Sequence, residues 1–300
     1  MAGLLVIGFT YYYVNNSYAS IDVSNIFSNN HTDQAIKKKQ KIIKTNLSNY
    51  LNSVTADGTA SVSFYNLGST TKSNTEADQL YQKGSLQTES DAYTARTAAS
   101  TYKLYLSAYL MNQNKTGNFT WTSSNEDGFS RMIVNSDNDF SEAQIDNYGA
   151  SAISAFVKSQ GWYPSVFVEG QTAETTSYSL QKLLENLAEG TGAFANQSDQ
   201  AKLLKLMGKQ VYRDGIPAGA AAATAGTTVQ DKVGFLDDTN NDAAIVTLPN
   251  GQRYILVIMT NGHNQSELSG FPRIAKIAEN VQKIVYGPNA GKKLIDYSNN

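Results

Sequence analysis

The chain has 300 residues, 41% of them apolar, and carries 24 basic against 26 acidic side chains. That length suits one large domain or two small ones with a real core, and the near-neutral balance gives no electrostatic reason to bind nucleic acid or an anionic membrane. With no cysteine and only two histidines, His31 and His263, disulfides and thiolate metal sites are excluded and a multi-histidine centre has too few ligands. Both histidines sit in polar sequence that reads as surface loop, a poor setting for a Ser-His-Asp triad.

The apolar run at residues 4–14 is too short to span a bilayer and lacks a basic start. It suits the tail of a membrane signal-anchor or a strand, and the Asn-, Ser- and Tyr-rich stretch behind it suits an exported stalk. Residues 1–33 therefore read as an anchor remnant or linker and 34–300 as a single domain, with an extracellular or cell-surface location expected. Residues 34–51 form an amphipathic helix whose lysines, Lys37, Lys38, Lys39, Lys41 and Lys44, make a solvated face. Residues 59–67 alternate as a strand, and 68–90 are mostly loop. A helix opens at Ser100, and residues 130–134 are a short apolar run ending in a polar turn. Further helices are expected at 142–158, at 178–188 with Thr176 or Ser177 as cap, and at 199–211 with Ser198 as cap. Strands follow at 229–236, 243–248 and 253–260, with Pro249-Asn250-Gly251 turning between the last two. A helix at 271–285 closes the pattern. A sheet built from the two chain ends, with a helical subdomain at about 101–215, is an α+β architecture.

Three short motifs carry chemistry. Ser100-Thr101-Tyr102-Lys103 is an S-x-x-K at a helix start. Its spacing puts both side chains on one face, the helix N-terminus favours an oxyanion, and a desolvated neutral lysine can take the serine proton. Ser136-Asp137-Asn138 offers a hydroxyl to relay a proton and an amide to hold a carbonyl, although the same three residues also make an ordinary turn. Lys232-Val233-Gly234 lies in a strand, where the glycine admits a close backbone neighbour and the lysine supplies positive charge. Alone, each motif is common.

In order, these motifs resemble the signature set of class A β-lactamases and penicillin-binding proteins. The flanks agree. Ala98 to Leu104 resembles the family's nucleophile helix, and Arg131-Met132-Ile133-Val134-Asn135 the approach to its second motif. Thr175-Thr176-Ser177 with Leu180, Leu183 and Leu184 is similar to the helix after its Ω loop. Gly215-Ile216-Pro217-Ala218-Gly219, Asn241-Asp242-Ala243 and Leu248-Pro249-Asn250-Gly251 are similar to its C-terminal sheet region. The resemblance spans residues 45–288. It implies a β-lactamase-like fold, an antiparallel sheet from both chain ends flanked by helices plus a reduced all-helical subdomain, and a serine hydrolase. It implies Ser100 as the acylated nucleophile, Lys103 as its base, Ser136 as proton relay, Asn138 as the group that positions substrate and Lys103, and Lys232 as a cation. The backbone N–H groups of Ser100 and Phe235 would form the oxyanion hole, with Gly234 and position 233 beside the substrate. Arg213 and Asp231 match a pair that is structural in relatives. No cofactor or metal is implied. The expected partner is a small-molecule or peptide substrate, a β-lactam or a peptidoglycan stem peptide.

Two positions depart from that pattern. Val233 stands where the family has Thr or Ser, whose hydroxyl helps hold a substrate carboxylate; losing one hydrogen bond to a charged group costs about 1.5–3 kcal/mol. Between Asp139 and Thr175 there is no E-x-x-x-N, the Ω-loop motif whose Glu activates the deacylating water. Glu169 is the nearest candidate for a deacylation base and Glu174 the next. The short span from Ser100 to Ser136 implies a trimmed subdomain and a more open cleft. These features favour a penicillin-binding or peptidase-like protein with slow deacylation. Three alternatives stay open: a true β-lactamase using Glu169, another acyl or ester hydrolase reusing the site, and a non-catalytic surface protein whose 18 tyrosines serve adhesion.

Overall fold

Helix α1 (Val23–Thr55) carries Ile36, Ile43, Leu47 and Leu51 at helical spacing, all buried. The stripe covers one side of a sheet. The computed structural model describes residues 23–71 and 75–297; the apolar run at residues 4–14, expected to be an anchor remnant or a strand, lies outside the described residues. By its contacts the chain divides into two units, Met1–Ala35 and Ile36–Asn300, and every motif falls in the second. Among the described residues no helix is long and apolar enough to cross a membrane.

The sheet holds β1 (Ala60–Ser69), β2 (Thr88–Ser90), β5 (Thr228–Leu236), β6 (Thr239–Thr247) and β7 (Gln252–Thr260) in the order β2-β1-β7-β6-β5. All pairings are antiparallel, and β1 lies beside β7 with Ala60 opposite Thr260. The two chain ends therefore do build one sheet, and β5, the strand of the third motif, is its free edge. Side chains alternate between its faces. Val62, Phe64, Val233, Val246, Leu256 and Ile258 pack with α1, α9 (Ile216–Ala223) and α10 (Phe271–Tyr286). Ala243, Ile245, Ile255, Val257 and Met259 face the helical layer. That layer comprises α3 (Lys103–Lys115), α4 (Ser123–Val134), α5 (Asp139–Tyr148), α6 (Ala150–Ser159), α7 (Ser177–Glu189) and α8 (Gln197–Met207).

Several local expectations are corrected. The loop at 68–90 contains β2 and a short helix, α2 (Glu76–Leu80), closed by a capping box between Thr75 and Asp78. Residues 130–134 are the end of α4, whose start is capped by the Thr122 hydroxyl accepting from Asn125 N–H. The single helix expected over 142–158 is two, because Gly149 between them has φ +83°, a conformation that L side chains rarely adopt. Helix α8 is capped by Asn196, which accepts from the N–H groups of Ser198 and Asp199, and not by Ser198. His31 belongs to α1 and not to a loop. Thr176 caps α7 as expected.

Helix α9 was not expected. Its Ile-Pro-Ala-Gly-Ala-Ala-Ala-Ala sequence has no polar face to mark a period, and it forms by packing on α10. The approach is close enough that a Cβ on Gly219 would lie 2.1 Å from the Ala275 carbonyl oxygen. Gly219→Ala should therefore separate two packed helices and cost about 1–3 kcal/mol of stability, the usual range for overpacking. Denaturant and thermal melting check it; an unchanged midpoint would mean that the contact relaxes freely.

Candidate active site

Ser100 stands in a 3-10 turn, Ala99–Tyr102, and α3 begins only at Lys103. The turn follows β3 (Arg96–Thr97), which pairs with β4 (Glu174–Thr175), and Ala98 N–H donates to the Ala173 carbonyl at 2.8 Å. Both Thr101 N–H and its hydroxyl donate to the Ala98 carbonyl, at 3.2 and 2.6 Å. Between them Ala99 is held at φ +44°, a conformation that costs an alanine about 1–3 kcal/mol and persists only where its surroundings enforce it. The enforcing surface is β5. A Cβ on Gly234 would lie 2.8 Å from the backbone nitrogens of both Ser100 and Thr101, so only glycine lets the strand touch the turn. Asn241 on β6, directly opposite Gly234, donates its amide to the Thr97 and Ala98 carbonyls at 2.9 and 3.0 Å. Sequence reasoning had placed Asn241 only among the sheet residues.

Lys103 is fully buried. Its Nζ lies 3.0 Å from Ser100 Oγ, 2.6 Å from the Ser136 carbonyl oxygen and 2.6 Å from Asn138 Oδ1. Burial pulls its pKa down to about 8, against the opposing pull of Asp137 and Glu142. A substantial fraction is therefore neutral near pH 8 and free to accept the proton of the serine it touches.

The second motif reaches this lysine from the helical layer. Asp137 accepts from Arg131 Nη1 at 2.7 Å and from Asp139 N–H at 2.9 Å, while Ser136 adopts φ +63°. That twist turns the Ser136 carbonyl to Lys103 and its hydroxyl to Lys232, whose Nζ donates to Ser136 Oγ and, at 2.9 Å, to the Val233 carbonyl. Lys232 is also fully buried. Burial first, then repulsion from Lys103, drives its pKa well down, against Asp231 and Asp242. Behind it Asp231 pairs with Arg213, and burial beside Asp242 raises the Asp231 carboxyl well above its usual range.

The remaining expected site residues lie as follows. Gly234 abuts the nucleophile turn. Phe235 follows it on the edge strand, but its ring packs against Tyr212, with centroids 5.2 Å apart, so it offers the cleft its backbone alone. Val233 corrects the expectation that position 233 faces substrate: its side chain is fully buried among residues of α9 and α10. Glu169 is exposed on the loop before β4 and lines an open cavity of about 680 Å³ together with Tyr102, Tyr148 and Phe167. Among the described residues no hydrogen bond joins Glu169 to Ser100 or Lys103. Glu174 is exposed at the start of β4, opposite Thr97. The same residues contain no group of three His, Asp or Glu side chains able to hold a metal ion.

Solved structures share this architecture. A mutant of PBP-A, described as an acyl-enzyme complex with penicillin G, is 22% identical with a TM-score of 0.63, over 81% of this chain and 95% of that one. The β-lactamase from Sphaerobacter thermophilus is 17% identical with a TM-score of 0.63, over 79% and 96%. A class A β-lactamase from Bacteroides cellulosilyticus is 17% identical with a TM-score of 0.62, over 81% and 97%. At such identities the likeness establishes the fold. No curated protein matches the sequence. The model of the beta-lactamase enzyme family matches residues 122–285, more than half of the chain, and with the β-lactamase fold and the three motifs linked through Lys103 and Lys232, the chain belongs to that family.

Proposed function

We propose that this protein is a penicillin-binding or D-alanyl peptidase-like serine hydrolase, acylated at Ser100 by a β-lactam or a D-alanyl amide and slow to release the acyl group. The observation that carries the reading is the contact of Lys103 Nζ with Ser100 Oγ at 3.0 Å, made by a lysine whose pKa lies at about 8. Neutral Lys103 takes the hydroxyl proton as Ser100 Oγ attacks the carbonyl carbon. The developing oxyanion sits against the N–H groups of Ser100 and Phe235. As the C–N bond breaks, the Ser136 hydroxyl passes its proton to the leaving nitrogen and is reprotonated from the Lys103–Lys232 side, leaving an ester on Ser100. Lys232 supplies positive charge to a substrate carboxylate, as the family resemblance implies.

Slow release follows from the missing base. Glu169 is exposed and makes no hydrogen bond to the nucleophile or its lysine. A mutant of PBP-A, which shares the fold, is described as an acyl-enzyme complex with penicillin G.

Intact mass after incubation with a penicillin should show one adduct on the wild-type chain and none on Ser100→Ala; labelling of the alanine variant at the wild-type rate would remove Ser100 from the chemistry. The base form of Lys103 grows as pH rises, and because burial lowers its pKa to about 8 this happens well below the ordinary lysine range. The acylation rate should climb about tenfold per unit below pH 8 and level above it, and Lys103→Ala should lose about 10²–10⁴-fold. A stopped-flow profile flat from pH 6 to 9 would contradict the assignment. With a chromogenic cephalosporin, one burst should be followed by very slow turnover. Sustained hydrolysis near 10 per second, a typical enzyme rate, and its loss in Glu169→Gln would instead identify a β-lactamase that uses Glu169.

A further inference from the structure

Asn241 is 1% exposed, and its neighbours on the same sheet face, Ala243 and Ile245, are apolar core residues. A buried amide costs stability unless it is bonded. Both of its recorded bonds come from the Nδ2 group, to the two successive carbonyls of Thr97 and Ala98 just before the strained Ala99. Its Oδ1 has no partner among the described residues, so the amide is oriented by what it donates. The Ala98 carbonyl thereby accepts from Asn241 Nδ2, Thr101 N–H and Thr101 Oγ1 together. Opposite it, Gly234 leaves the space that the turn fills.

Resting on the acylation reading above, we propose that Asn241 is a positioning residue for the nucleophile. With Gly234 it forms a socket that holds the 97–101 segment on the sheet and so aims Ser100 at Lys103 and its N–H at the oxyanion. The glycine admits the backbone, and the amide fixes the peptide plane that forces Ala99 out of its ordinary φ. Without the amide, Ala99 relaxes and Ser100 turns away from Lys103, while Lys103 keeps its bonds to the Ser136 carbonyl and Asn138 and Lys232 keeps its bond to Ser136.

The test compares Asn241→Ala with Asn241→Leu, which restores volume but not the donors. In both, hydrogen exchange of peptides covering residues 97–103 should rise at least about tenfold over wild type, with the β6 and β7 peptides unchanged. Penicillin acylation should fall about 10–100-fold, the scale of an ångström-sized misplacement, while the dissociation constant of the preceding complex stays within about threefold. A packing role alone would let the leucine variant recover both melting temperature and acylation, which would overturn the proposal. Unchanged exchange in the turn, or full acylation despite a loosened turn, would overturn it too. Should the alanine variant not fold, the leucine variant gives the same two readings. If the wild type takes no acyl group, the functional reading fails, and the exchange measurement still decides whether Asn241 holds the turn.

Discussion

Burying a lysine amine without exposed surface is costly unless polar partners replace its water. At Lys103 those partners are the Ser100 hydroxyl, the Ser136 carbonyl and the Asn138 amide oxygen. They come from two separate segments, and Lys232 adds a third by donating to Ser136 from β5. The nucleophile turn, the second-motif loop and the sheet edge are thus joined through nitrogen donors. Among the described residues no carboxylate touches Lys103; Asp137 and Glu142 act on it only from a distance. Neutral dipoles solvate the charge well enough to retain the lysine but poorly enough to keep its proton labile, and this balance makes it a usable base near neutral pH.

The same requirement explains two strained backbone positions. Ala99, next to the nucleophile, and Ser136, in the second motif, are both non-glycine residues at positive φ. Ala99 directly precedes Ser100, whose hydroxyl accepts from Lys103, and Ser136 splits its two oxygens between the two lysines. Each strained position is held by a local clamp, Asn241 with Gly234 in the first case and the Arg131–Asp137 pair in the second. Strain at such points is stable only because several bonds over-determine it.

Legibility in the sequence followed the kind of interaction. The α+β architecture was readable because period-2 strands at both chain ends enclose helical periodicity in the middle. The core of the site was readable because S-x-x-K, S-D-N and K-x-G fix residue types at short spacing. Contacts made across the fold were not. Helix α9 has no polar face and exists through its fit to α10. The break at Gly149 is a single dihedral inside a continuous helical pattern. Asn241 looks like any strand polar residue until its register opposite Gly234 is known. Val233 is illegible for a related reason: the motif reads as a unit, but strand alternation sends its middle side chain to the α9–α10 face. There a threonine hydroxyl would need a buried partner, and valine fits the apolar surroundings.

The two lysines around Ser136 also constrain each other. Lys232 is pushed down by burial and by Lys103, and its nearest counter-charges, Asp231 and Asp242, are themselves raised by burial. Asp242, at about 7, holds one oxygen on Ile216 N–H at 2.8 Å while its other oxygen is unpartnered. The positive charge on β5 is therefore weakly supported from behind. A substrate carboxylate arriving in front of Lys232 would supply the missing counter-charge and favour its protonated form.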